Sequence, residues 1–173
     1  MPARKRNPLL LRFLIWRTKN LTQQQFVMIL SALIGFTAGL GAVAIKNLTH
    51  FIQLLLEGKF IANYHHAFYF VFPIIGLALT MVIIKIFLRR PVGHGIPSTL
   101  YAISMKKGIM RRMQMYASLI TAPITVGFGG SVGLEGPTVA TGASLGSNIS
   151  RMFNMNQATR TLLIGCAAAG AMS

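Results

Sequence analysis

From Thr22 to Leu56 the chain runs for thirty-five residues with a single formal charge, Lys46. Wound as an α-helix at 1.5 Å per residue, such a run is about 52 Å long, against a hydrocarbon core of roughly 30 Å. A helix of this kind has nowhere to put its apolar surface except lipid, and it must tilt or project. Within it Gly35 and Gly39 stand four apart, a spacing that lets a second helix approach closely in a membrane. Two further apolar runs follow, residues 67–88, which open on Phe68, Tyr69, Phe70 and Phe72, and residues 113–128. Basic clusters separate them: Lys85, Arg89 and Arg90, then Lys106, Lys107, Arg111 and Arg112. Cations concentrate on the cytoplasmic side of membrane helices, so the runs read as successive crossings.

Composition supports this class. Apolar residues make up 53% of the chain and charged residues 11%, which argues against a soluble globule. The formal charge of +15 would suit a nucleic-acid partner, but the cations lie between apolar runs and no nucleic-acid motif accompanies them. The charge is topological, and no nucleic acid is expected. The one cysteine, Cys166, lies in an Ala/Gly-rich run and reads as a small core residue. No cleavable secretory signal is evident.

Residues 1–19 carry Arg4, Lys5, Arg6, Arg12, Arg17 and Lys19 interleaved with Leu9, Leu10, Leu11, Phe13, Leu14, Ile15 and Trp16. This pattern predicts an amphipathic helix on an anionic cytoplasmic leaflet, separate from a transmembrane domain over 20–173. The His65–His66 pair in the far-side turn lacks further ligands at metal-binding spacing, so no metal or other cofactor is expected.

The segment Gly127–Gly146, GFGGSVGLEGPTVATGASLG, is the least ordinary in the chain. Glycines lead to Glu135, then Gly136 and Pro137, then a run of small residues. Proline suits the first helical position, where its missing N–H has no partner to lose, so a helix is predicted from Pro137 to Ser150. The chain has only two acidic residues, Glu57 and Glu135. A carboxylate in lipid is costly, and such residues usually mark ion paths. The stretch PVGHGIPSTLYAISMKKG at 91–108 repeats the device, with Gly93, His94, Gly95, Ile96 and Pro97 opening an apolar stretch too short to cross a bilayer. The fold expected is all-α, a polytopic helical membrane protein with re-entrant, half-length broken helices.

Each broken helix presents unpaired N–H groups and about half a positive charge at its start. Irregular backbone at membrane depth survives only where protein or a watery cavity satisfies it, so the two loops should converge on an internal polar site. Paired interrupted segments point to a transporter's binding site, and a small anion held by amides is the ligand implied.

GHGIP (Gly93 to Pro97), GLEGP (Gly133 to Pro137) and TLLIGCAAAG (Thr161 to Gly170) together resemble the chloride channel (CLC) family of anion channels and anion/proton antiporters, in order and separation. The likeness spans essentially the whole chain. It implies the first part of that family's inverted-repeat fold, with chloride or another small anion carried and, in the antiporters, a proton. It implies a gating role for Glu135, whose carboxylate occupies the anion path when ionised and leaves it when protonated. By the same resemblance Gly133, Gly136, Pro137 and the amides of Val139 and Ala140 contribute to the anion cradle, with Gly93, His94, Gly95, Ile96 and Pro97 facing them. Two departures matter, the first for anion preference and the second for anion attraction at the outer mouth. His94 stands where the family commonly has serine, and Leu134 where it commonly has Arg or Lys before the gating glutamate.

The resemblance further implies a homodimer embedded in lipid, while the basic clusters suggest a multi-pass chain in the plasma (inner) membrane with its N-terminus cytoplasmic. The sole intramembrane acid, with no histidine close in sequence, argues against an enzyme. The family's second half has no counterpart in these residues, so the chain reads as an N-terminal portion. The competing reading is a non-transporting membrane fragment or assembly subunit without a complete pore.

Overall fold

The computed structural model describes residues 22–60, 71–88, 95–131 and 133–173. The amphipathic segment expected over 1–19, the opening of the second span and the His65–His66 turn lie outside the described residues. Within them the chain is helical, without a strand. Helix α1 spans Gln23–Phe60 and α2 spans Val71–Ile83, prolonged by a π-helical turn at Ile84–Leu88. Then come α3 at Gly95–Met105, α4 at Arg112–Gly127, α5 at Glu135–Met152 and α6 at Gln157–Met172.

Helix α1 shows why this is a lipid-facing fold. Its buried positions are Phe26, Leu30, Ile34, Ala38, Ala42, Ile45 and Thr49, a seam one residue wide at helical spacing. Met28, Ile29, Leu33, Phe36, Leu40 and Val43 are all exposed around it. An apolar surface of that extent is unsustainable in water and is what hydrocarbon requires. Gln23–Leu56 is the one segment among the described residues long and apolar enough to cross a bilayer by itself, and Val71–Ile86 is a shorter apolar helix.

The seam of α1 packs on α6, and small residues set how closely. The Gly35 and Gly39 pair does what its spacing predicts: Gly170 of α6 lies against Gly35, where a Cβ on Gly170 would stand 2.5 Å from the Gly35 carbonyl oxygen. Helix α5 is the centre of the bundle, touching α1, α3, α4 and α6. Every residue from Thr138 to Ser144 is buried, as are Gly146, Ser147 and Ser150. Serine, threonine, glycine and alanine allow close approach on all sides, and their hydroxyls return to backbone carbonyls, as Thr138 does to Glu135 at 2.9 Å and Thr141 to Pro137 at 2.8 Å. Helix α2 packs on α4, where the Thr80 and Thr125 hydroxyls meet at 3.0 Å.

One end of the bundle gathers the first turns of α1, α4 and α6 with the last turns of α3 and α5. Phe26 of α1 meets Phe153 edge to face at 5.7 Å. The α3–α4 turn is locked there by α5: the Ser147 hydroxyl donates to the Gly108 carbonyl at 2.6 Å and accepts from the Met110 amide at 2.9 Å. The Ser144 hydroxyl donates to the Arg111 carbonyl at 3.1 Å. Arg160 of α6 donates to the Lys107 carbonyl at 3.0 Å and to the Met155 carbonyl at 3.1 Å, tying two turns together. Ser147→Ala removes both of its bonds and leaves the Met110 amide buried without a partner. A loss of about 1–3 kcal/mol is expected, read as a lower unfolding temperature in detergent, with Ser104→Ala, an exposed hydroxyl, as the near-neutral control.

Candidate functional site

The two Gly/Pro loops open helices as predicted, but each helix begins two residues earlier than its proline. Pro97 is the third residue of α3 and Pro137 the third of α5. The physical logic survives the shift, because no amide in the first turn has an intrahelical partner and proline forfeits nothing there. Helix α5 also runs on to Met152, giving 18 residues where a shorter element was expected. Helix α3, with 11 residues, is about 16 Å long and is the half-length one.

The two N-termini lie against each other. A Cβ on Gly95 would stand 3.3 Å from the Cα, C and O atoms of Gly136, and Gly95 itself adopts φ +33°. Only glycine meets both demands, the left-handed backbone and the contact. From this meeting point α3 and α5 run side by side, since the α3–α4 turn at the far end of α3 is bonded to Ser144 and Ser147 near the far end of α5. Parallel helices with adjacent starts place two half-charges of like sign together, an arrangement that favours an anion between or above them.

Around the α3 start, the Ser98 and Thr99 hydroxyls donate to the Gly95 carbonyl at 2.9 and 3.2 Å. The Gln114 side-chain amide of α4 donates to the Ser98 hydroxyl, fixing α3 to α4. At the α5 start the Thr138 amide already donates to the Leu134 carbonyl at 3.0 Å. That leaves Glu135 and Gly136 as the first-turn donors of α5. Val139 and Ala140 are its fifth and sixth residues, inside the ladder, with side chains buried.

Glu135 is the first residue of α5, and its side chain is exposed, as is Gly133 before it. The convergence expected of the loops is present, but within the described residues nothing encloses the carboxylate. Gly136 and Pro137 are half-buried, and Ile96 and Pro97 are exposed. Gly93 and His94 lie outside the described residues. The sequence pattern assigns no bonding role to Ser98 and Gln114, which hold the α3 start, or to Ser144, Ser147 and Arg160, which hold the far turn. The hydroxyls offered no spacing signal, because their partners lie in other segments.

A family model described as voltage gated chloride channel matches residues 76–173, a stretch that includes both helix starts. Two curated relatives are the H(+)/Cl(-) exchange transporters ClcA of Salmonella arizonae and Salmonella paratyphi B. The first is 30% identical over 97% of this chain and 36% of its own length. The second is 30% identical over 83% of this chain and 32% of its own length. The chain therefore spans about a third of the length of the relatives it matches. No solved structure gives a significant match. With a family match over more than half of its residues and an all-helical membrane architecture around paired helix starts, the chain belongs to the voltage gated chloride channel family.

Proposed function

We propose that this protein moves a small anion of the chloride class across a membrane, with Glu135 as the gate. The observation that carries this reading is the contact of Gly95 with Gly136, which sets two helix N-termini side by side next to the chain's one described carboxylate. The first-turn amides of α3 and α5 hold the dehydrated anion and Glu135 competes with it. A negative side chain at a helix start imitates the anion that binds there. Ile96, Pro97, Gly133 and Pro137 shape the same region, Val139 and Ala140 support it from within α5, and the roles of Gly93 and His94 rest on the family resemblance alone. Exchange against protons, the activity named for both relatives, follows if Glu135 also takes up a proton on leaving the path. We read the protein as a transporter and not as an enzyme, a homodimer in the plasma membrane with its N-terminus cytoplasmic. The open mouth at Glu135 favours one other reading, a membrane subunit that carries half of a site and needs further elements to conduct.

The test is chloride efflux from liposomes containing the protein, with Gly95→Ala beside it. A left-handed alanine costs about 1 kcal/mol, too little to unfold the bundle, while the contact with Gly136 is pushed apart. Efflux is expected to fall severalfold at unchanged helicity. Equal efflux in the variant, or none from the unmodified protein, would count against the reading.

A further inference from the structure

The α3–α4 turn carries four cations. Lys106, Lys107, Arg111 and Arg112 are exposed, and Arg151 at the end of α5 is exposed nearby. Among the described residues none of these cations forms an ion pair. Glu135 sits at the opposite end of α5, and Glu57 belongs to the last turns of α1, whose first turn is at this end.

The turn is nevertheless built rigidly. Four of its backbone groups are bonded to other helices: the carbonyls of Lys107, Gly108 and Arg111 and the amide of Met110. Lys107 and Gly108 both adopt left-handed backbone, φ 53° and 71°, and the Gly108 amide closes the end of α3 on the Ala102 carbonyl at 2.8 Å. Lysine is a poor choice for such a position, where asparagine or glycine would be easier, so the cation is kept against the local preference of the backbone. Beside it Lys106 lies over the exposed Tyr101 ring, 5.2 Å from its centroid. Met105, Ile109 and Met113, in the turn and the helix ends beside it, are exposed. Exposed cations, an aromatic ring and exposed apolar side chains within residues 101–113 match in kind the phosphate, the interface and the acyl chains of a phospholipid.

We propose that the α3–α4 turn is a docking site for an anionic phospholipid, its phosphate held by Lys106, Lys107, Arg111 and Arg112 and its acyl chain lying along Tyr101, Met105 and Met113. Because α3 is 11 residues long, the headgroup site and the Gly95 start occupy the two ends of one short rod. The site does not depend on what that other end binds.

The experiment uses the protein in phosphatidylcholine vesicles doped with a photoactivatable phosphatidylglycerol, followed by peptide mapping of the adducts. Adducts are expected on residues 101–113 with the glycerol probe and not with a choline probe of the same chain. Unlabelled phosphatidylglycerol should compete, and inorganic phosphate should not. Each cation near an anionic surface strengthens attachment about fivefold, so replacing all four with glutamine should reduce adducts there at least about tenfold. Lys46→Gln, which removes an exposed cation of α1, should leave them unchanged. The pair Lys106→Gln and Arg112→Gln should give an intermediate loss and serves if the fourfold variant does not fold. Equal labelling by both probes, labelling indifferent to the glutamines, or competition by inorganic phosphate as strong as by lipid would overturn the proposal. Chloride efflux reports on Glu135 and Gly95 and is read separately.

Discussion

Glu135→Gln is expected to abolish the response of chloride efflux to pH while leaving the protein folded. The carboxylate stands at the first turn of α5, exposed, and no described side chain pairs with it, so the amide fits without rearrangement. A charged carboxylate at a helix N-terminus is favoured by about 0.3–2 kcal/mol, and on the proposed gating an anion must displace it to occupy the same amides. Removing that competitor should raise neutral-pH efflux by about two- to thirtyfold, which is the same energy expressed as an occupancy ratio. On the proposed gating the charge sets the sign: efflux of the unmodified protein is expected to rise as the pH falls, whereas the glutamine variant is expected to stay at its high value throughout. Any proton movement coupled to the anion should vanish in the same variant. Paired chloride-electrode and pH-electrode traces from liposomes measure both. A variant that keeps the pH response would place the titrating group elsewhere.

The largest effect on folding should come from Gly142→Val combined with Gly146→Val. A Cβ at Gly142 would stand 2.6 Å from the Ala167 carbonyl oxygen and 2.9 Å from the Ala171 Cβ. At Gly146 the distances are 2.7 Å to the Leu163 carbonyl oxygen and 2.9 Å to the Ala167 Cβ. The neighbouring atoms are mostly helix backbone, which cannot turn aside, so α5 and α6 must separate along this face. Overpacking typically costs about 1–3 kcal/mol per site, and two sites on one interface put the expected loss at about 3 kcal/mol or more. Gly41→Val, where no atom lies within 4 Å, is the control and should be close to neutral. Thermal unfolding in detergent distinguishes them. A double variant that melts with the unmodified protein would mean that α5 and α6 do not pack as described.

Much of this was legible beforehand because it is written in short-range pattern. Residues four apart share a helix face, so the Gly35 and Gly39 pair announced a close helix contact, and Gly142 with Gly146 carries the same signal in a segment noted only for its lack of bulk. The two Gly/Pro openings announced helix starts to within two residues, the usual uncertainty of a helix boundary. The length of α5 was underestimated because Ser, Thr and Gly are weak helix formers in isolation, and in this helix they are held by packing against four neighbours.

The sequence by itself determined the medium and the local device. Long apolar runs broken by cations leave lipid as the only surroundings, and glycines with a proline before a small-residue run leave a helix start as the only local structure that fits. Which helix meets which was decided by the tertiary structure. Gly95 lies on Gly136, Ser147 reaches Gly108 and Met110, and Arg160 spans to Lys107, each across a stretch of chain that no periodicity connects. Side-chain spacing records one helix's own faces, whereas these contacts arise only when whole faces are packed and every buried hydroxyl and amide must find a partner.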